Sequence, residues 1–96
     1  MQRFARVEGI LVEPIGHLWA AFSPATGETA LLNDESASIL EVLEIEPADT
    51  AAVCAVLSSD SGIAPDELFA LVDGSWQQLT EVGLVRELPV SRNHPQ

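Results

Sequence analysis

The residues that could carry chemistry are few and scattered. His17 and His94 are the two histidines, and neither has a Cys, Asp or Glu at a spacing that completes a metal site. Ser36, Ser38, Ser58, Ser59, Ser61 and Ser75 have no base paired with them in the sequence, and a hydroxyl without its base is a weak nucleophile. Asp66 and Glu67 stand together as an acid/base pair would. They follow Pro65 at a helix start, however, where carboxylates serve the positive end of the dipole. Cys54, the single cysteine, permits no internal disulfide and no multi-cysteine metal site, and inside "AAVCAVL" it reads as a small buried hydrophobe. There is no Gly-rich phosphate loop and no Lys. Nothing here predicts catalysis, a cofactor or a metal.

Charge narrows the choice of partner. Fifteen acidic residues face four basic ones, Arg3, Arg6, Arg86 and Arg92, for a formal net charge of -11. Binding to a phosphate backbone requires Lys and Arg to displace counterions, so nucleic acid and anionic membrane surfaces are poor partners. A basic peptide or a basic protein face is favoured, because complementary charge raises the encounter rate. No run approaches the roughly 20 apolar residues of a membrane helix, and "MQRFARVEG" lacks the apolar core of a signal peptide. The expected location is cytoplasmic.

The elements that must position any site follow from pattern and punctuation. Ninety-six residues, 47% of them hydrophobic, make one domain with a modest core. Residues 1–33 read as β structure. "GILVEPIG" lies between Gly9 and Gly16, with Pro14 marking an edge or a strand end. "HLWAAFS" reads as a strand opened by His17, with His17, Trp19 and Ala21 on one face and Leu18, Ala20 and Phe22 on the other; "PATG" turns the chain and "ETALLN" returns. Such a meander needs helices on one face for stability.

Helices fill the rest. Asn33 or Asp34 caps the first, whose apolar face is Ile39, Leu40, Val42 and Leu43. Asp49 or Thr50 caps the second, with Ala52, Val53, Val56 and Leu57 on one face. Pro65 opens the third, along which Leu68, Leu71, Val72, Trp76, Leu79 and Val82 recur at helical spacing, and Trp76 is expected in the core. Gly74 weakens that helix and Gly83 ends it as a C′ glycine, with Leu84 folding back. "LVREL" predicts a last short strand, and 89–96 a loose tail.

The stretch "WAAFSPATGETALLN", followed by "ASILEVL" and later by "LFALV" and "WQQLTEVGLV", resembles the PqqD-like family, also called RiPP recognition elements, which are peptide chaperones of ribosomal peptide modification. The nearest variety is the short one associated with an HPr-kinase-related protein, in which an SG-(D/E)-T-x-L-L turn and strand precede the first helix. Here Thr26-Gly27-Glu28-Thr29-Ala30-Leu31-Leu32 occupies that place, with Thr26 where Ser is commoner. The resemblance covers about residues 10–88. It implies an α+β, winged-helix-like fold of a three-stranded antiparallel sheet followed by three helices, with 1–88 as a single peptide-binding domain. It also implies that the leader segment of a precursor peptide adds as a strand beside the third strand, over a groove shared with the third helix.

Carried onto this chain, the strand residues are Glu28, Thr29, Ala30, Leu31, Leu32 and Asn33, and the groove residues Leu68, Leu71, Val72 and Ser75. A strand this apolar without Lys or Pro is otherwise a liability at a sheet edge, and strand addition turns that liability into a site. Thr29 and Leu31 point one way and Ala30 and Leu32 the other, Leu32 toward the core. Proline at Ala30 is expected to remove one edge N–H and leave the fold intact. The third helix carries Asp66, Glu67, Asp73 and Glu81 and no basic residue before Arg86, so the expected ligand is neutral or basic, or pairs with Arg86 at one end. As partners the resemblance implies a leader peptide and a peptide-modifying or HPr-kinase-related enzyme, and an unprotected sheet edge allows a homodimer as a further form. The alternatives are a structural subunit that docks on a kinase-like or transferase partner, and a winged-helix DNA binder, which the charge disfavours.

Overall fold

The computed structural model describes residues 2–89. Most of the expected tail 89–96, including Arg92 and His94, lies outside them. The elements in chain order are β1 (Arg3–Arg6), β2 (Leu11–Ile15), β3 (Leu18–Ser23), β4 (Glu28–Leu32), α1 (Asp34–Ile45), β5 (Ala48–Asp49), α2 (Thr50–Ser61), α3 (Pro65–Glu81) and β6 (Val85–Glu87). The protein is a small α+β domain. The expected meander is present as the antiparallel sheet β2-β3-β4, and the three helices follow it. A second antiparallel sheet, β5-β1-β6, was not expected beyond its β6 strand.

That second sheet ties the chain ends to the helical layer. β1 pairs with β6 through Phe4↔Glu87, Ala5↔Arg86 and Arg6↔Val85, and with β5 through Arg3↔Asp49 and Phe4↔Ala48. Phe4 and Ala5 are both buried, so β1 shows none of the alternation that marks a strand with one wet face. The Phe4 ring stacks on Trp76 of α3, with centroids 4.1 Å apart and planes within 7°. Trp76 Nε1 donates to Thr50 Oγ1 at 2.8 Å, so its burial leaves no unpaired N–H. The stack joins α3 and the start of α2 to β1, and Trp76 is in the core as expected.

Side-chain caps set the helix starts. Asn33 Oδ1 accepts from Ser36 N at 2.9 Å, and Asp49 Oδ1 from Ala52 N at 2.8 Å. α1 lies on β3 and β4 and buries Ile39, Leu40 and Leu43. In α2 the inward face is Thr50, Val53 and Cys54 with Leu57 half-buried, while Ala52 and Val56 are exposed. The expected face is therefore rotated, because α3 packs along the Val53–Cys54–Leu57 side. In α3, Leu68, Val72, Trp76 and Leu79 are buried, and Leu71 is on the outside.

The end of α3 forms a Schellman motif: Leu84 N donates to Leu79 O at 2.9 Å and Gly83 N to Thr80 O at 3.0 Å, with Gly83 at φ +78°. A Cβ on Gly83 would lie 2.7 Å from both Ser23 Oγ and Thr26 Cγ2. Gly83→Ala is therefore expected to lower unfolding free energy by about 2 kcal/mol, the left-handed backbone alone accounting for roughly 1–2; urea denaturation checks it. Gly74 shows the opposite case. α3 runs through it unbroken, and an added Cβ meets nothing within 4 Å. Gly74→Ala is expected to raise stability by up to about 1 kcal/mol in the same assay. No helix among the described residues is long and apolar enough to cross a membrane.

Candidate functional site: an open sheet edge

β4 is an outer strand of the meander, paired with β3 through Trp19↔Leu32, Ala20↔Leu31, Ala21↔Ala30, Phe22↔Thr29 and Ser23↔Glu28. Its side chains alternate as the pleat requires. Leu32 is buried and Ala30 half-buried against the helical layer, while Thr29 and Leu31 are exposed on the opposite face. Glu28 is exposed, and its N–H donates to Thr26 Oγ1 at 3.3 Å. Asn33 leaves the strand to cap α1.

Which backbone groups face the open edge follows from the turns. Gly16, at φ +63°, and His17, whose φ is not positive, form a two-residue loop between Ile15 and Leu18. A Gly-first two-residue loop closes on a hydrogen-bonded pair. Alternation then directs the amide groups of Leu18, Ala20 and Phe22 toward β2, and those of Trp19, Ala21 and Ser23 toward β4. Pro14, opposite Trp19, falls by the same alternation in a non-hydrogen-bonded pair, the place a residue without an N–H can occupy. Ala30 and Leu32 therefore spend their amide groups on β3. Thr29 and Leu31 direct theirs to the open edge, and no bond outside the ladder uses the backbone of 29–32. Proline at Ala30 would thus break the β3–β4 ladder, so the residue that tests the free edge is Leu31.

The two outer strands of this sheet are not equivalent. On β2 the outward groups belong to Val12 and Pro14, and Pro14 offers no donor, which blunts that edge. β4 has neither Pro nor Lys. It is the less protected of the two edges.

The groove expected beside it is differently built. Leu68 and Val72 are 5% and 2% exposed and are taken up by the core. Leu71 is exposed, and Ser75 Oγ donates to Leu71 O at 2.8 Å, an internal helix contact. α3 packs on α2, α1 and β6, whereas the helix on β3 and β4 is α1. The cause is local: Asn33 turns the chain directly from β4 into α1, so α1 takes the sheet face. α3 meets the meander at its C-terminal end, where Ser23 Oγ donates to Gly83 O at 2.7 Å.

A cleft of about 600 Å³ opens between α1 and the inner face of β2 and β3. Val12, Trp19, Ala37 and Leu40 line it together with Asp34, Glu41, Glu44 and Arg6. Trp19 Nε1 donates to Asp34 Oδ1 at 2.9 Å, and Arg6 Nη1 to Leu40 O at 3.0 Å. No β4 residue lines it. Its apolar wall and three carboxylates against one guanidinium suit a cationic group better than an anionic one. The Trp19–Asp34 bond had no sequence signal, since fifteen residues and a hairpin separate its partners.

Cys54 is buried, and its thiol is pushed above the ordinary range by that burial and, secondarily, by the negative charge of Asp73. A protonated, enclosed thiol is unreactive. Cys54 is expected to react with a maleimide at neutral pH only as fast as the domain opens, a rate measurable by mass spectrometry. His17 does not open β3 as expected but is exposed in the β2–β3 turn, because Gly16 at φ +63° starts a two-residue loop that takes it up. Among the described residues, no three His, Cys, Asp or Glu side chains gather as metal ligands. Comparison with models of protein families, with curated proteins and with solved structures finds no match.

Proposed function

We propose that this protein is a non-catalytic peptide-binding module which takes an extended segment of a precursor peptide as a fourth strand beside β4 and presents it to a modifying enzyme. One observation carries the reading: β4 offers the outward amide groups of Thr29 and Leu31 on an edge without Pro or Lys. Each added backbone hydrogen bond contributes about 1 kcal/mol net, and side chains on alternate faces of the new strand supply selectivity. The likeness of residues 10–88 to PqqD-like proteins supports the same reading, as does the order of a meander followed by three helices, which suits a winged-helix-like domain. The helix nearest the added strand is then α1, with Leu71 and Ser75 of α3 outside the site. Residues 7–85 contain no Lys or Arg, so the peptide is neutral or basic. A cytoplasmic setting, where precursor peptides are made, fits this role.

A second copy pairing through β4 would occupy the same groups, and a peptide would have to displace it. The reading of a subunit that docks on a kinase-like or transferase enzyme is favoured by a different observation, the exposed apolar outer face of the meander. The two roles are compatible.

Selection from a displayed library of random peptides tests the proposal. Strand addition predicts recovered sequences that are neutral or basic, bind in extended form and compete with one another for one site. Recovery of acid-rich sequences only, or of no binder at all, would refute it.

A further inference from the structure

The meander has helices on one face only. On the other, the pairs Leu11↔Phe22 and Ile15↔Leu18 join with Leu31 to form one apolar layer. Leu11 is 61% exposed, Ile15 56%, Leu18 41%, Phe22 37% and Leu31 59%. A shallow depression of about 250 Å³ lies among them, lined in part by Glu13, Ala20 and Thr29. Isolated exposed apolar residues are ordinary, but five large ones on one sheet face mark an interaction surface. From that layer we infer that the outer face of β2–β4 docks an amphipathic helix of a partner protein, one whose apolar stripe is flanked by a Lys or Arg that meets Glu13.

Size and charge select this occupant. Three strands about 4.8 Å apart and five residues long at about 3.4 Å per residue give a face of roughly 14 by 17 Å. A helix about 10 Å across and three turns long covers it. Interfaces of standard size bury about 800 Å² per partner, so a contact confined to this face is a weak one, which suits a single docked helix. Self-association would also bring two Glu13 carboxylates into the centre of the interface between two chains of charge -11 each. Glu13, opposite Ala20, is the one charge within this layer of strand residues, so a basic group on the partner completes it. Anionic lipid would meet no Lys or Arg anywhere in 7–85. The inference stands apart from strand addition: it uses the side chains of the face, whereas strand addition uses the outward amides of β4.

Titrating the isotope-labelled full chain with two synthetic amphipathic helices of about 18 residues tests it, one with Lys flanking a Leu stripe and one with Glu in the same places. The Lys helix is expected to shift amides of 11–15, 18–22 and 29–31. Its affinity should fall about tenfold or more in Glu13→Lys and in Leu11→Ser, both on the outer strand β2 and well exposed, so that the fold stays intact. The Glu helix should bind at least tenfold more weakly to the wild type. Shifts confined to α1 and α3 of this protein, or affinity unchanged in both variants, would overturn the docking site. Concentration-dependent dimerisation lost in Leu11→Ser would assign the face to a second copy instead.

Discussion

Leu31→Pro is expected to weaken a strand-adding peptide by about tenfold or more while the domain stays folded. Proline removes the Leu31 N–H, one of the donors directed at the open edge, and its ring blocks the close approach of a neighbouring strand. Loss of a backbone bond in a partly desolvated ladder costs about 1–3 kcal/mol, roughly one to two powers of ten in affinity. The side chain is 59% exposed, so little core packing is lost. Leu31→Ala keeps the N–H and should keep most of the affinity, which separates backbone from side chain. Ala30→Pro behaves differently: Ala30 faces Ala21 across the ladder and its side chain points inward, so that variant should lose hairpin structure along with binding. Isothermal titration and circular dichroism on the three variants read both outcomes.

Trp76→Ala is expected to be the most damaging single change to the fold. It removes the stack on Phe4 and the bond to Thr50, and it leaves a cavity where α2, α3 and β1 meet. Aromatic-to-Ala changes in cores cost about 3–5 kcal/mol, a large share of the roughly 5–15 kcal/mol that holds a small domain together. Guanidinium unfolding should therefore show most of the stability gone. Trp76→Phe, which retains a ring for Phe4 and gives up the bond to Thr50, should be milder.

The meander and the helix limits were legible because single residues dictate them. Gly16 and Gly27 turn the chain, Asn33 and Asp49 cap, Pro65 opens α3 and Gly83 closes it. The burial of Leu32 and the exposure of Leu31 followed from simple alternation. The sheet β5-β1-β6 was not legible, since its strands are two to four residues long and exist through pairing between distant parts of the chain. β2 is apolar at Leu11 and Ile15 as well as at Val12, so periodicity alone could not say which face the helices leave open. The free amides of Thr29 and Leu31 did have a signal, in Gly16 and Pro14 together, because a two-residue turn and a proline fix the same alternation. The third-helix groove failed for a physical reason: positions 68 and 72 match a groove lining and a core stripe equally well, and in this fold the core takes them.

The most direct measurement is residue-resolved amide hydrogen exchange, free and with a selected peptide bound. Strand addition predicts new protection at Thr29 and Leu31, with Ala30 and Leu32 already slow in the free protein and little changed. Protection that instead gathers along Val12 on β2, or on α1 around the cleft, with Thr29 and Leu31 left fast, would contradict the β4 edge as the binding site.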